Sequence, residues 1–242
     1  MANLTNEVNK ILSYASESLD DDSKTYLTTL KRNHQWIIDH QDWVAIHGML
    51  HVNQLNMDDP LAAEFVELDV VQTHLQQLRS HLFHLNKLYT LLIELGCNCF
   101  KIISPNQLKY HDYSKGFVLE IVGYVEKWVL ESKTRLFWRQ SCDHHLNSNP
   151  HHLQHFWKDS GKEISASFLA EALLDGLSRK TEKRPLIILS EIFNFQDEKA
   201  WIETISMGPG RTGIEYNQLK DMFLTASSLV DASPKSGSYY DM

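Results

Sequence analysis

The sequence predicts an all-α protein, and three observations carry that expectation. Apolar residues recur at steps of three and four over most of the chain, the spacing of one helix face. Gly96 and the Asp58-Asp59-Pro60 run punctuate those patterns where helices stop or start. No internal repeat is present. Residues 4–18 and 24–50 read as helices, and residues 61–70 follow the proline break. Residues 74–95 read as one amphipathic helix carrying Leu78, Leu82, Leu85, Tyr89 and Leu92. A second pattern covers 117–142, with Val118, Ile121, Val122, Val125, Trp128 and Val129 on one side. A third runs from Ser165 to Ser178 through Phe168, Leu169, Ala172, Leu173 and Leu177. Residues 185–195 fit either a strand or a buried helix, 207–213 (MGPGRTG) a loop, and 214–230 a last amphipathic helix. The tail 231–242, rich in Ser, Gly and Pro, predicts disorder. The expected organisation is a helical extension over 1–70, a core over 71–200, and a C-terminal helix with flexible tail over 201–242.

Composition narrows the class. A formal charge of −8 argues against a nucleic-acid-coating surface, which needs a positive face. No apolar run reaches the roughly 18 residues a membrane-spanning helix requires. The N-terminus lacks the basic start and apolar run of a signal peptide. Cys97, Cys99 and Cys142 are too few for a disulfide scaffold, so the expectation is a reduced, cytoplasmic protein.

Histidine is the unusual residue: 13 in all, five of them between His144 and His155. At a helix start an adjacent His111-Asp112 pair can turn both side chains to one metal. Imidazole with carboxylate suits a divalent transition metal: Mn, Fe, Zn, Co or Ni. Two ligands are too few. His84, at the border of the apolar stripe one helix earlier, is a candidate third, with His81 its rival at the same stripe. Asp175, in the apolar run EALLDGL, is the fourth, since an unpaired carboxylate there would be costly. Each also has a plain structural reading: a chance HD dipeptide, a hydrogen-bonded histidine at a helix border, an aspartate ending a helix before Gly176.

Asn149-Pro150 reads as a helix start, with Asn as cap and Pro at the first position. His151 and His152 would then lie in a first turn whose N–H groups favour anions, while His144 and His145 end the helix before it. This corner fits a second metal, imidazoles that bind phosphate and donate a proton, or surface histidines that cap a turn. Lys115 could hold a phosphate oxygen or equally be a solvated surface lysine. Glu120, two turns on, could be a general base, a partner to a ligand histidine or half of a surface salt bridge. A Cys97-x-Cys99 zinc site with Cys142 and His144 is a weaker signal, because CxC is not the usual CxxC knuckle.

These residues also stand in a recognisable order. His84 precedes Leu95-Gly96; His111-Asp112-x-Ser114-Lys115 is followed by Glu120 and Tyr124; then come His144-His145, Asn149 and His151-His152; last is Glu171-(x)3-Asp175. In this the chain resembles an uncharacterised, DUF5662-like family of small bacterial and viral proteins that itself looks like the HD-domain metal-dependent phosphohydrolases. The chain departs from the family pattern where Gly116 replaces Phe, His155 replaces Tyr and Gly176 replaces Trp. The resemblance implies an HD-domain-like helical bundle with one metal on His84, His111, Asp112 and Asp175. It also implies hydrolysis of a nucleotide or other small phosphoester, with Lys115, Glu120, His145, His151 and His152 as catalytic groups. Two alternatives stand beside it: an HD-type di-iron oxygenase, and a binding or scaffold protein with a relict metal site. The expected partner is a small phosphorylated substrate, with no membrane and no nucleic acid.

Overall fold

The computed structural model describes residues 28–29, 32–33, 35–129, 136–152, 164–184, 187, 189–195, 201–202 and 214–233. Among these the ordered elements are helices, joined by turns and by one isolated bridge between His51 and Phe117. The fold class is all-α, as the periodicity predicts. The predicted helix 4–18, the loop 207–213 and most of the tail lie outside the described residues.

The chain forms two compact units, residues 1–77 with 113–145, and 78–112 with 146–242. In the first unit, α1 (Gln41–His47) is followed by α2 (Pro60–Glu67). The proline break is the start of α2: Asp59 accepts a hydrogen bond from the Leu61 amide at 3.0 Å, and Pro60 takes the first position. The pattern read over 117–142 is covered by α5 (Val118–Val129) and α6 (Leu136–Ser148), with 130–135 outside the described residues. Val44, Phe65, Val71, Ile121 and Val122 form the core of this unit. Residues 48–51 are laced to 117–119: the Val118 amide donates to the Leu50 carbonyl and the Leu119 amide to that of Gly48, each at 3.0 Å.

Helix α3 (Asp69–Glu94) starts five residues before the predicted 74–95 and passes from the first unit into the second after Gln77. Gly96, at φ 86°, ends it, as the sequence predicts. There the Cys97 amide donates to the Leu92 carbonyl and the Gly96 amide to that of Ile93, closing a left-handed helix cap. A short helix α4 (Pro105–Lys109), capped reciprocally by Ser104 and Gln107, delivers the chain to His111. Helix α7 (Ala166–Lys183) runs straight through Gly176, so Asp175 lies inside a helix and not at its end. The ambiguous segment 185–195 contains a short helix, α8 (Leu189–Ile192), and α9 (Ile214–Asp231) closes the unit. Leu85, Leu88 and Leu92 of α3 pack with Phe100, Leu169, Leu173 and Phe223. Truncating one such leucine to alanine costs about 2–5 kcal/mol, so this packing holds α3 and α7 firmly in place. Cys97 belongs to this core, and burial pushes its thiol up to about 11.

Candidate metal centre

In the second unit α3, the turn after α4, the 149–152 turn and α7 bring together His81, His111, Asp112, His151, Glu171 and Asp175, all but Asp175 buried. Glu171, Asp175 and Glu182 are spaced by four and seven residues, so α7 presents all three carboxylates on one face.

The two imidazoles at the centre are oriented by two of those carboxylates. His81 Nδ1 lies 2.5 Å from Glu182 Oε1, and His111 Nδ1 lies 2.9 Å from Glu171 Oε1. An ionised carboxylate only accepts, so each Nδ1 carries the donated proton. The two Nε2 atoms then face each other at 3.1 Å, and His81 Nε2 stands 3.1 Å from Asp175 Oδ1. Asp112 Oδ2 lies 3.7 Å from both Nε2 atoms. Ring nitrogens facing each other and carboxylate oxygens at these distances share a positive charge, which a proton on His111 supplies and a metal ion could replace. Two ligands each about 2.1 Å from one ion stand about 3.0–3.5 Å apart at octahedral to tetrahedral angles, close to these separations. The group His81, His111 and Asp175, and the group His111, Asp112 and His151, each offer ligand atoms that all lie within 4.8 Å of one another.

Two further observations fit a metal. Asp175 Oδ1 and His151 Nε2 are buried without a hydrogen bond, although His81 Nε2 is 3.1 Å from the first and Asp112 Oδ1 3.3 Å from the second. They converge on shared points instead of pairing off, which would be costly in a site meant to stay dry and empty. Asp112, fully buried, has φ 53°, a left-handed backbone that a non-glycine residue holds at about 1–3 kcal/mol. Tension of that kind is retained where a side chain must be aimed.

The charges are coupled accordingly. Burial opposes the charge of His111, but the charge of Asp112, the nearby Asp175 carboxylate and the hydrogen bond to Glu171 outweigh it and push the ring up to about 10. Burial likewise opposes the charge of Glu171, yet the His111 and His151 hydrogen bonds hold it down to about 2. Asp175 is held well below the usual carboxylate range, against burial, by His111 and His81.

Of the residues named from sequence, His111, Asp112, Asp175 and His151 meet in this cluster, and His152 Nε2 lies 3.8 Å from Asp112 Oδ1. His84 does not: its Nδ1 lies 3.2 Å from the Thr181 hydroxyl, which itself donates to the Ser178 carbonyl. His81, the rival three residues earlier, occupies the position expected of His84. Asn149-Pro150 lies in a turn, closed by the His152 amide on the Asn149 carbonyl at 2.9 Å, and residues beyond 152 lie outside the described ones.

Lys115, Glu120 and His145 lie in the first unit. There Glu120, fully buried and so not half of a surface salt bridge, accepts from His144 Nδ1 at 2.6 Å and His145 Nδ1 at 2.9 Å. Those hydrogen bonds keep its carboxyl below the usual range in spite of burial. The turn holding Lys115 is pinned by His74, whose Nε2–H donates to the Lys115 carbonyl at 2.9 Å; burial pushes the His74 ring pKa down. The Gly116 departure has a local cause. A Cβ at 116 would lie 2.0 Å from His51 Nε2, and His51, buried and stacked on Tyr113 at 4.2 Å, already fills that space.

The model of the family of unknown function DUF5662 matches residues 70–208, more than half of the 242. The chain belongs to DUF5662. No curated protein and no solved structure matches it. Every member of the His–carboxylate cluster falls within the part matched to DUF5662, whereas His51 falls outside it. The cluster also contains four residues not among the expected ligands and catalytic groups: His81, named from sequence only as a rival to His84; Glu171, named only as part of the E-(x)3-D motif; and Arg179 and Glu182. Helical spacing from Asp175 was the signal for the last three, since 171, 175, 179 and 182 recur at steps of three and four.

Proposed function

We propose that this DUF5662 protein is a metal-dependent hydrolase of a small phosphoester, related to the HD-domain phosphohydrolases and working in the cytoplasm. The observation that carries the reading is the pair of Nε2 atoms 3.1 Å apart whose Nδ1 protons are already committed to Glu182 and Glu171. A carboxylate behind a ligand histidine fixes its tautomer and raises its basicity, which is how proteins prepare imidazole for a divalent cation. His81, His111, Asp112 and Asp175 are the proposed ligands, His81 standing where His84 was expected. A bound divalent transition metal supplies a water of near-neutral pKa as nucleophile. His151, held by Glu171, and His152 flank Asp112 Oδ1 and steady charge on the substrate.

One observation favours a second reading, the two-iron oxygenase. Asp112 turns Oδ2 to His81 and His111 and Oδ1 to His151 and His152, as a carboxylate shared by two metals would. One test separates them: metal content and phosphatase turnover measured on the same untagged preparation. One metal per chain with metal-dependent release of phosphate supports the hydrolase. Two irons, oxygen consumption and no phosphate release would replace it with the oxygenase. Absence of both metal and turnover leaves the scaffold reading.

A further inference from the structure

We infer, on the hydrolase reading, that Gln107 is a positioning residue of the metal centre, fixing which oxygen of Glu171 faces the imidazoles. The amide of Gln107 is held at both ends. Its Oε1 accepts from the Ser104 amide at 3.0 Å, half of the capping box that starts α4, and its Nε2 donates to Glu171 Oε2 at 3.0 Å. Neither end can be exchanged for the other. A backbone N–H only donates, so oxygen must face Ser104; an ionised carboxylate only accepts, so nitrogen must face Glu171. The helix cap thereby sets the orientation of the amide, and the amide engages Oε2.

That leaves Oε1 for the two rings. His111 Nδ1, at 2.9 Å, and His151 Nδ1, at 3.3 Å, both face that one oxygen. The terminal torsion of a glutamate is soft, so without Gln107 the carboxylate could turn and give one oxygen to each ring. Ser104 is exposed, Gln107 half-buried and Glu171 buried, so the relay ties a surface helix cap to the ring of His111, a proposed ligand. Partners behind a ligand histidine typically change metal affinity about 10- to 100-fold, and Gln107, one contact farther out than Glu171, belongs at the lower end.

Two substitutions separate positioning from capping. Gln107→Glu keeps the capping box, because glutamate accepts the Ser104 amide as glutamine does, but it sets a carboxylate oxygen against Glu171 Oε2. Combining Gln107→Glu with Glu171→Gln restores one donor facing one acceptor and moves the charge one residue outward. The probe is cobalt(II), titrated against a competing chelator into the full chain of the parent, both single variants and the double variant. Visible absorption of the loaded protein and the melting temperature of the metal-free protein are recorded for each. Gln107→Glu is expected to lose about 10-fold in cobalt affinity with an altered absorption band. The double variant is expected to bind about threefold or more tightly than Glu171→Gln alone. A parent that binds cobalt while Gln107→Glu matches it in affinity and spectrum overturns the inference and leaves the hydrolase reading standing. A change confined to the melting temperature does the same, assigning Gln107 to the helix cap alone. If Gln107→Glu fails to fold, the double variant decides, and affinity no better than that of Glu171→Gln overturns the inference. A parent that binds no cobalt overturns the metal centre itself, and the inference with it.

Discussion

Replacing Glu171 with glutamine tests whether the histidines are prepared for a metal. Glu171 accepts from His111 Nδ1 at 2.9 Å, stands 3.3 Å from His151 Nδ1 and takes a third hydrogen bond from Gln107 Nε2 at 3.0 Å. Glutamine keeps the shape but loses the charge; both imidazoles face the same oxygen, Oε1, so each is left with only a neutral, weaker acceptor. Loss of such a carboxylate typically lowers metal affinity about 10- to 100-fold, or about 1.4–2.7 kcal/mol. Because two imidazoles depend on it, the upper half of that range is expected. Competition against a chromogenic chelator at neutral pH measures the change directly. Glu182→Gln, at a carboxylate that serves one imidazole, His81, and also pairs with Arg179, is the companion variant and is expected to lose less. Metal affinity within twofold of the parent in Glu171→Gln would refute the reasoning, because the imidazoles would then need no carboxylate behind them.

Further predictions follow from the same contacts. The chelator-treated protein should lose stability on both sides of a window. Glu171, lowered to about 2 from an ordinary 4.5, contributes stability that is complete above pH 4.5 and lost as pH falls towards 2. His111, raised to about 10 from 6.5, contributes below pH 6.5 and loses it as pH rises through 10. Thermal melts of parent and Glu171→Gln across this range check it, and an acid limb as steep in the variant as in the parent contradicts it. Metal binding must displace the His111 proton, so affinity should climb with pH above neutrality; affinity that falls instead contradicts the ligand assignment. Gly116→Ala should destabilise by about 1–3 kcal/mol, since its new Cβ meets the His51 ring. Adding His51→Ala should recover part of that loss, and strictly additive urea midpoints would show that the two positions are not coupled.

Periodicity made most of the fold legible. The α3 stop at Gly96 and the α2 start at Asp59-Pro60 were readable because glycine and proline constrain the backbone itself. The site was legible only in part. His111, Asp112 and Asp175 stand out because charged or metal-type residues interrupt apolar sequence. The choice between His81 and His84 was not readable: both lie on the buried stripe of α3, and only the approach of Glu182 from α7 decides which ring is drawn in. Glu171 stands out in sequence only through the E-(x)3-D motif, and its role shows once Gln107, His111 and His151 are found around it. The HHLNSNPHH segment was read as a single corner; the division between the two units falls inside it, after His145.

The central claim is that His81, His111, Asp112 and Asp175 hold a divalent transition metal. Elemental analysis of untagged protein purified without chelator, alongside Asp112→Ala, tests it most directly. At least one equivalent of Mn, Fe, Co, Ni or Zn is expected in the parent, and essentially none in a folded Asp112→Ala variant. A parent that carries no metal after incubation with each ion, or a variant that carries as much as the parent, would contradict it.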